Sequence, residues 1–246
     1  MSKRTASSAP ATRPHRRKSA SKGPSKSAPP SITPAERRRA AALYDALAAA
    51  YPDAHCELNY TTPHELLIAT ILSAQCTDIA VNKATPALFA RFPDPADYAR
   101  AQAADIEPYV RSLGFFRNKA KAVHSSMTDI VERFGNQVPQ TMDELLSLHG
   151  VARKTANVVL GNAFNKNVGV VVDTHVERLS RRLALVPDKT AIPQIEHRLM
   201  ALFPRERWTM LSHLLIFHGR RACKARGVCC RDNPICKKYG TACENR

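Results

Sequence analysis

A lysine and an aspartate are the residues of this sequence best suited to do chemistry. Lys154 lies in the segment L-H-G-V-A-R-K-T at residues 148–155, and Asp173 follows nineteen residues later in V-V-V-D-T-H. A lysine in the first turn of a helix, beside Arg153, is expected to favour the neutral amine, which can attack an electrophilic carbon. A carboxylate nearby can assist that attack. The plainer alternatives are a phosphate-binding lysine and an aspartate that only caps a helix.

The segment around Lys154 has the pattern of two short helices joined by a glycine turn. Thr141 and Glu144 predict a reciprocal capping box at the first helix, and a second, apolar helix begins at about Ala152. The first amides of that second helix have no partner within it, which suits a phosphate. A helix-hairpin-helix grips the DNA backbone in this way without reading bases, although a lone glycine turn can also be an ordinary αα-hairpin. The candidate phosphate contacts are Gly150, Ala152, Arg153 and Thr155.

Cysteines are concentrated at the end of the chain. Five of the seven lie within the last 24 residues: Cys223, Cys229, Cys230, Cys236 and Cys243. Such clustering indicates a metal site rather than a disulfide framework. Four thiolates suit either an iron–sulfur cluster or zinc, although the Cys-x2-Cys spacing usual for zinc is missing. The other two, Cys56 and Cys76, are expected to be ordinary buried thiols.

The charge of the chain indicates a polyanionic partner. The formal net charge is +16, of which residues 1–34 contribute eight Lys and Arg and no Asp or Glu. Because the remainder is also strongly basic, nucleic acid is the leading partner, and solubility alone is the alternative. Residues 1–34 are too polar and proline-rich to form a core, so we predict a disordered basic tail.

Hydropathy argues against a membrane or secreted protein. No window approaches the roughly 18 consecutive apolar residues of a membrane span. The basic N-terminal residues are not followed by the apolar segment of a secretion signal. The sequence therefore predicts a cytoplasmic, nucleoid-associated protein that is not secreted.

The periodicity of the apolar residues predicts an all-α chain. Helices are expected to start at Pro34 and Pro63, with Asp78 capping the next and Asp173 capping a later one. Only Val168–Val172 has the β-branched composition of a strand. Further helical patterns cover residues 95–103, 105–112, 117–134, 194–203 and 205–218.

Several long motifs occur in one order and closely resemble the endonuclease III family. The resemblance covers roughly residues 36–243 and leaves out the basic tail. The matching segments are E-L-L-I-A at 65–69, L-S-A-Q-C-T-D at 72–78, V-N-K-A-T at 81–85, G-F-F-R-N-K-A at 114–120, L-H-G-V-A-R-K-T-A-N-V-V at 148–159, V-D-T-H at 172–175 and H-G-R at 218–220.

The resemblance implies a bifunctional DNA glycosylase and abasic-site lyase that acts on oxidised pyrimidines in double-stranded DNA. Lys154 would attack C1′ and form a Schiff base, Asp173 would assist it, and β-elimination would cut the strand. The target base must leave the stack to be reached. The loops that carry Gln75 and Phe115 would fill the gap, although a helix-end amide and a core aromatic are the plainer interpretations. A monomer is expected.

The implied fold is a two-lobed helical helix-hairpin-helix DNA glycosylase with a C-terminal iron–sulfur loop. Residues 35–222 would form the helical core, and residues 223–243 the cysteine cluster loop. Within the core, a six-helix lobe would span about 60–185 and contain the hairpin at 141–165. The second lobe would combine residues 35–59 and 186–222.

The cysteine spacing departs from the pattern that the resemblance implies. The family binds a [4Fe–4S] cluster through Cys-x6-Cys-x2-Cys-x5-Cys, and here the later intervals differ. We expect Cys223, Cys230, Cys236 and Cys243 as ligands, with Cys229 as the alternative second ligand and zinc as the alternative metal. Arg178 would lie against the cluster, and the loop K-A-R at 224–226 would touch DNA.

The hairpin also departs from the family. His149 replaces a proline that many relatives carry, and Ala152 replaces the second glycine. Phosphate binding at Ala152 then requires a helical backbone at that residue.

Overall fold

The computed structural model describes residues 31–226 and 230–241, and within these ranges the regular structure is entirely helical. The prediction of an all-α chain is confirmed. None of the described helices combines the length and hydrophobicity needed to cross a lipid bilayer. The α-helices are α1 (Pro34–Ala50), α2 (Pro63–Leu72), α3 (Asp78–Arg91), α4 (Pro95–Arg100), α5 (Ala103–Val110), α6 (Phe116–Phe134), α7 (Met142–Leu146), α8 (Arg153–Ala163), α9 (Thr174–Arg182), α10 (Ile192–Leu202), α11 (Trp208–Arg221) and α12 (Pro234–Tyr239), with 3-10 turns at Arg205–Arg207 and Cys230–Asp232.

The first two helices begin at Pro34 and Pro63, as predicted, and each of these starts is a capping box. The Thr33 side chain accepts a hydrogen bond from the Glu36 amide at 3.2 Å, and the Glu36 carboxylate accepts from the Thr33 amide at 2.8 Å. Thr62 and Glu65 repeat the arrangement at α2, and proline follows each N-cap. Proline costs nothing there because its missing N–H would have had no partner within the helix.

Two of the predicted caps are different in the structure. Thr77, not Asp78, caps α3 by accepting from the Ala80 amide at 3.2 Å, which leaves the Asp78 carboxylate for other contacts. At α7 the Glu144 carboxylate accepts from the Thr141 hydroxyl at 2.6 Å, so only the Thr141 half of the predicted box caps backbone amides.

The β-branched run Val168–Val172 forms no strand. Val170 and Val171 are buried, and the Val171 amide donates to the Ser212 hydroxyl at 3.0 Å. Since a side chain of α11 satisfies this amide, the run needs no neighbouring strand. Burial therefore accounts for the β-branched side chains of this run, in agreement with the all-α prediction.

Two hydrophobic cores divide the chain. The first combines buried side chains from Leu58 to Leu160, and the second combines α1 with buried side chains from Val170 to Tyr239. The division falls close to residue 169, whereas we expected the six-helix lobe to continue to about residue 185. The reason is α9, whose buried residues Val176 and Leu179 belong to the second core.

The two cores meet where α8 crosses α11. A Cβ added to Gly161 would lie 2.4 Å from the Thr209 hydroxyl oxygen, so only glycine allows α11 to approach α8 this closely. On the α8 side, the Asn162 side-chain oxygen contacts the His213 ring at 2.7 Å. These contacts hold the first core against the second and create a cleft beside them.

Candidate active site and metal centre

The hairpin that precedes Lys154 is fixed to α6. Gly150 has φ +76°, and a Cβ there would lie 3.0 Å from the Ala122 side chain. Ser126 donates to the His149 carbonyl, and the His149 amide donates to the Asp129 carboxylate at 3.2 Å. Proline has no N–H and could not make the second bond. His149 therefore supplies an anchor that the proline of many relatives cannot.

The helix after the hairpin begins without a side-chain cap. Ala152 is the N-cap of α8, with extended backbone (φ −96°, ψ 169°) and no side-chain acceptor. The backbone at Ala152 is therefore not helical, so the condition expected for phosphate binding by the Ala152 amide is not met. The first intrahelical hydrogen bond is donated by Ala156 to the Ala152 carbonyl at 3.0 Å, so the earlier amides point to the start of the helix. An anion suits this position.

Arg153 is paired with a carboxylate that sequence spacing did not indicate. Its Nε lies 2.9 Å and 3.1 Å from the two oxygens of Glu196, which is 7% exposed. Asn157 donates to the same carboxylate at 3.1 Å. The hydrogen bond to Glu196 raises the pKa of Arg153. Because this ion pair offsets the charge of Arg153, its expected influence on the Lys154 amine is reduced.

Lys154 and Asp173 line one cleft between the two cores. Both border a cavity of about 110 Å³, and both also border a wider cavity of about 840 Å³ that includes Gln75. The Asp173 carboxylate accepts from the Val176 amide at 2.7 Å, so the predicted cap of α9 is confirmed. The predicted DNA-binding residues that do not border these cavities are Gly150, Ala152, Arg153, Thr155 and Phe115.

Asp78 joins this cleft although the sequence suggested only a helix cap. Its carboxylate accepts from Arg220 at 2.7 Å, and Arg220 also pairs with Glu57. Burial raises the pKa of Asp78, while the charge of Lys154 acts in the opposite direction. The His-Gly-Arg motif of α11 thus reaches across to α3 beside Lys154.

Gln75 and Phe115 share an unusual backbone conformation. Both have left-handed backbones, with φ +55° and φ +57°. Phe115 is 66% exposed, so it is not the core aromatic of the plainer interpretation. Left-handed backbone costs a non-glycine residue free energy and is enriched at functional sites. Asn136, Asn165 and Ala184 share this left-handed backbone, so it does not by itself distinguish Gln75 and Phe115.

The C-terminal cysteines converge with a histidine. Cys223, Cys236 and His218 are buried, and their potential ligand atoms all lie within 4.8 Å of one another. The Cys230 sulfur lies 3.5 Å from that of Cys223. Three thiols and an imidazole fit a thiophilic metal. The predicted ligand Cys243 and the alternative Cys229 lie outside the described residues.

Two arginines contact Cys223. Hydrogen bonds from Cys236 and then from Arg182 lower the pKa of Cys223. Arg182 lies 3.3 Å from that sulfur, whereas Arg178 donates to the Cys223 carbonyl at 3.1 Å. Arg178 therefore touches this segment, as expected, but Arg182 is the arginine that contacts sulfur. Neither Arg182 nor His218 was predicted from the sequence as a neighbour of the centre.

Comparison with known proteins identifies the family. Residues 68–205 match the family described as HhH-GPD superfamily base excision DNA repair protein. Endonuclease III of Synechocystis is 52% identical over 195 residues, which cover 79% of this chain and 89% of the relative. Endonuclease III of Bacillus subtilis is 43% identical, covering 75% and 84%. A solved structure of a trapped endonuclease III–DNA covalent intermediate is 41% identical, with a TM-score of 0.77 over 81% of this chain and 93% of that one. The chain therefore belongs to the endonuclease III family of base excision DNA repair enzymes.

Proposed function

We propose that this protein removes oxidised pyrimidines from duplex DNA and cleaves the resulting abasic site, with Lys154 as nucleophile. The observation that carries the proposal is that Lys154 of the first core and Asp173 of the second border one cleft. An amine and a carboxylate in one cleft provide a nucleophile and a proton acceptor. The likeness to a structure described as a trapped covalent intermediate with DNA supports the same assignment.

The reaction proceeds in three steps. The Lys154 amine forms a bond to C1′ while the bond from C1′ to the damaged base breaks, and the base departs with the electron pair. The sugar ring then opens to a Schiff base between Nζ and C1′. Loss of a C2′ proton breaks the bond from C3′ to its oxygen, which cuts the strand on the 3′ side. Asp173 accepts a proton from the lysine and stabilises positive charge on the sugar.

DNA is held and opened by the surrounding segments. The amides of Gly150 and of the first turn of α8, from Arg153 to Thr155, bind backbone phosphate without reading sequence, and the extended backbone at Ala152 excludes its amide from this set. Gln75 and Phe115 enter the stack where the target base has been extruded. The exposed loop at 224–226 adds phosphate contacts that weaken with salt.

For the metal centre we propose a [4Fe–4S] cluster held by Cys223, Cys230, Cys236 and Cys243, with zinc as the alternative. Thiolates are the ligands that such a cluster requires. A bound cluster would fix the loop between α11 and α12 and so present residues 224–226 to DNA. Purified protein should be yellow-brown with visible absorbance, and a colourless protein that contains one zinc would contradict the cluster.

We further propose that the enzyme works as a monomer in the cytoplasm, on nucleoid DNA, with the basic arm at residues 1–34 adding salt-sensitive affinity. The six-helix lobe with the hairpin and the second lobe then act as the two walls of the DNA cleft.

Borohydride trapping tests the assignment of Lys154. Borohydride reduces the Schiff base, so wild-type protein incubated with abasic-site DNA should give a covalent complex on a denaturing gel. Lys154→Ala should give none, because the amine that forms the bond is absent. Lys189→Ala, at an exposed lysine of the α9–α10 loop, is the matched control and should trap as wild type does.

Two results would contradict the proposal. Absence of a trapped complex from wild-type protein that still binds the DNA would indicate binding without lyase chemistry. A complex that persists in Lys154→Ala would move the nucleophile to another amine.

A further inference from the structure

A histidine of α11 borders both the cleft of Lys154 and a larger cavity next to it. His213 lines the cavity of about 110 Å³ that Lys154 and Asp173 also border. It also lines a cavity of about 880 Å³ formed by segments that include α3, α8 and α11. Asn162 of α8 borders the same two cavities. His213 and Asn162 therefore lie where the space beside Lys154 continues into the contact between the two cores.

The contact between these two side chains fixes which His213 nitrogen carries the hydrogen. The Asn162 side-chain nitrogen donates to the Val158 carbonyl at 2.8 Å, which sets the orientation of the amide. The amide oxygen lies 2.7 Å from His213 Nε2. Because a carbonyl oxygen can only accept, Nε2 is the donor. Burial lowers the pKa of His213 to about 4, so the ring is neutral near pH 7 and Nδ1 carries a lone pair.

This arrangement leaves one acceptor and one donor for a ligand. Within residues 31–226 and 230–241, Asn162 is the only hydrogen-bonding partner of the His213 ring, so Nδ1 has none. The Asn162 side-chain nitrogen carries a second hydrogen besides the one donated to Val158. A polar atom in a partly buried position loses free energy unless water or a ligand pairs with it. The two side chains thus present an acceptor beside a donor to the cavities.

We propose that His213 is a specificity-determining residue that accepts a hydrogen bond from the Watson–Crick edge of the extruded base. The assignment rests on the proposed function, because it concerns the base that the enzyme releases. Enzymes that extrude a base read it by hydrogen bonds to this edge. In an oxidised uracil or thymine, N3–H donates to Nδ1 of His213, and the Asn162 amide donates to a carbonyl beside N3. The ligand class is therefore a pyrimidine whose edge keeps an N–H next to an acceptor.

The test compares two duplexes, one with 5-hydroxyuracil and one with 5-hydroxyuracil methylated at N3, by single-turnover base release. The wild-type protein should release the unmethylated base roughly tenfold or more faster, because methylation leaves the His213 acceptor unpaired. His213→Leu has no acceptor and should lose most of this preference. His213→Gln keeps a carbonyl oxygen and should recover part of it.

Cleavage of abasic-site DNA separates recognition from structure. This DNA has no base to contact, so the ratio of base release to abasic-site cleavage should fall roughly tenfold in His213→Leu. His197→Leu, at an exposed histidine of α10 that borders neither cavity, is the matched control and should keep the wild-type ratio. An equal fall of both rates in His213→Leu would show that His213 only packs α11 against α8. That result, or equal release of the two bases by the wild type, would overturn the proposal.

Binding measurements separate this proposal from the proposed catalysis. Lys154→Ala lacks the proposed nucleophile, and fluorescence anisotropy should show that it binds the unmethylated duplex roughly tenfold more tightly. The added substitution His213→Leu should remove this preference. The same two results, together with a wild-type protein that releases no base, would support recognition by His213 and count against the proposed catalysis alone. Equal binding of the two duplexes by Lys154→Ala would overturn recognition by His213.

Discussion

The starts of α8 and α9 both lie at the cleft, but their backbone amides are satisfied differently. At α9 the Asp173 carboxylate accepts from the Val176 amide at 2.7 Å, so the chain caps itself. At α8 the N-cap is Ala152, whose side chain accepts nothing. An uncapped helix start keeps its amides for an external anion, whereas a capped start holds a carboxylate in one place. This difference matches the proposed roles of the two helix starts: α8 would bind a phosphate, and α9 would hold a charged carboxylate.

Replacing Asp173 tests whether its cap and its charge are separate contributions. Asparagine also caps helices, so Asp173→Asn should keep stability while base release slows by about 10²- to 10⁴-fold, the usual contribution of general base catalysis. Asp173→Ala should lose a further ~1 kcal/mol of unfolding free energy because the cap is gone. Single-turnover base release and urea unfolding measure the two effects. Full activity in Asp173→Asn would show that Asp173 caps α9 and has no catalytic role.

Removing Glu196 tests what anchors the uncapped start of α8. Glu196→Ala leaves Arg153 and Asn157 without their shared acceptor, and the free energy of unfolding should fall by about 2 kcal/mol. Glu177→Ala removes a more exposed carboxylate, 27% against 9% for Glu196, from its pair with Arg181 and should cost less than about 1 kcal/mol. Urea unfolding of both variants provides the comparison. Equal losses would show that the Glu196 contact contributes no more than a surface pair.

Adding a side-chain cap to α8 should stabilise the helix start and weaken its proposed binding of phosphate. Ala152→Asp should raise the free energy of unfolding by about 1 kcal/mol, because its carboxylate satisfies the free amides. The same carboxylate should weaken duplex binding and lower the salt dependence by about one phosphate contact. Fluorescence anisotropy across a salt series measures both.

The matched control for that prediction is Ala191→Asp. Ala191 is the N-cap of α10, also without a side-chain cap, and does not border the cleft. It should gain similar stability with unchanged DNA affinity. Equal weakening of DNA binding by both variants would indicate a general charge effect rather than a phosphate at α8.

Features that depend on four or five neighbouring residues could be predicted from the sequence. The helix starts at Pro34 and Pro63 and the cap at Asp173 are of this kind, because the signals that define them lie within one turn. Where two residues in one turn compete for the same role, the prediction was less accurate, as with Thr77 and Asp78. The β-branched composition of Val168–Val172 could not be interpreted by itself, because composition does not distinguish burial from strand pairing.

Contacts between distant segments could not be predicted from spacing. Glu196 lies 43 residues beyond Arg153, and nothing in either local pattern connects them. Arg220 reaches Asp78 across 142 residues, and only the packing of α11 near α3 makes that contact possible. The boundary between the cores shifted for a related reason, because an amphipathic helix such as α9 does not reveal which core its apolar face will join.

Lys154 and Asp173, the proposed catalytic pair, lie on opposite sides of the contact between the two cores. Lys154 moves with α8 and Asp173 with α9, so the distance between amine and carboxylate depends on how the first core sits on the second. A substitution at Gly161 would push α11 away from α8 and is expected to misalign the proposed pair without altering either residue. Under the proposed mechanism, the catalytic rate thus depends on how the two cores pack as well as on the chemistry of these two side chains.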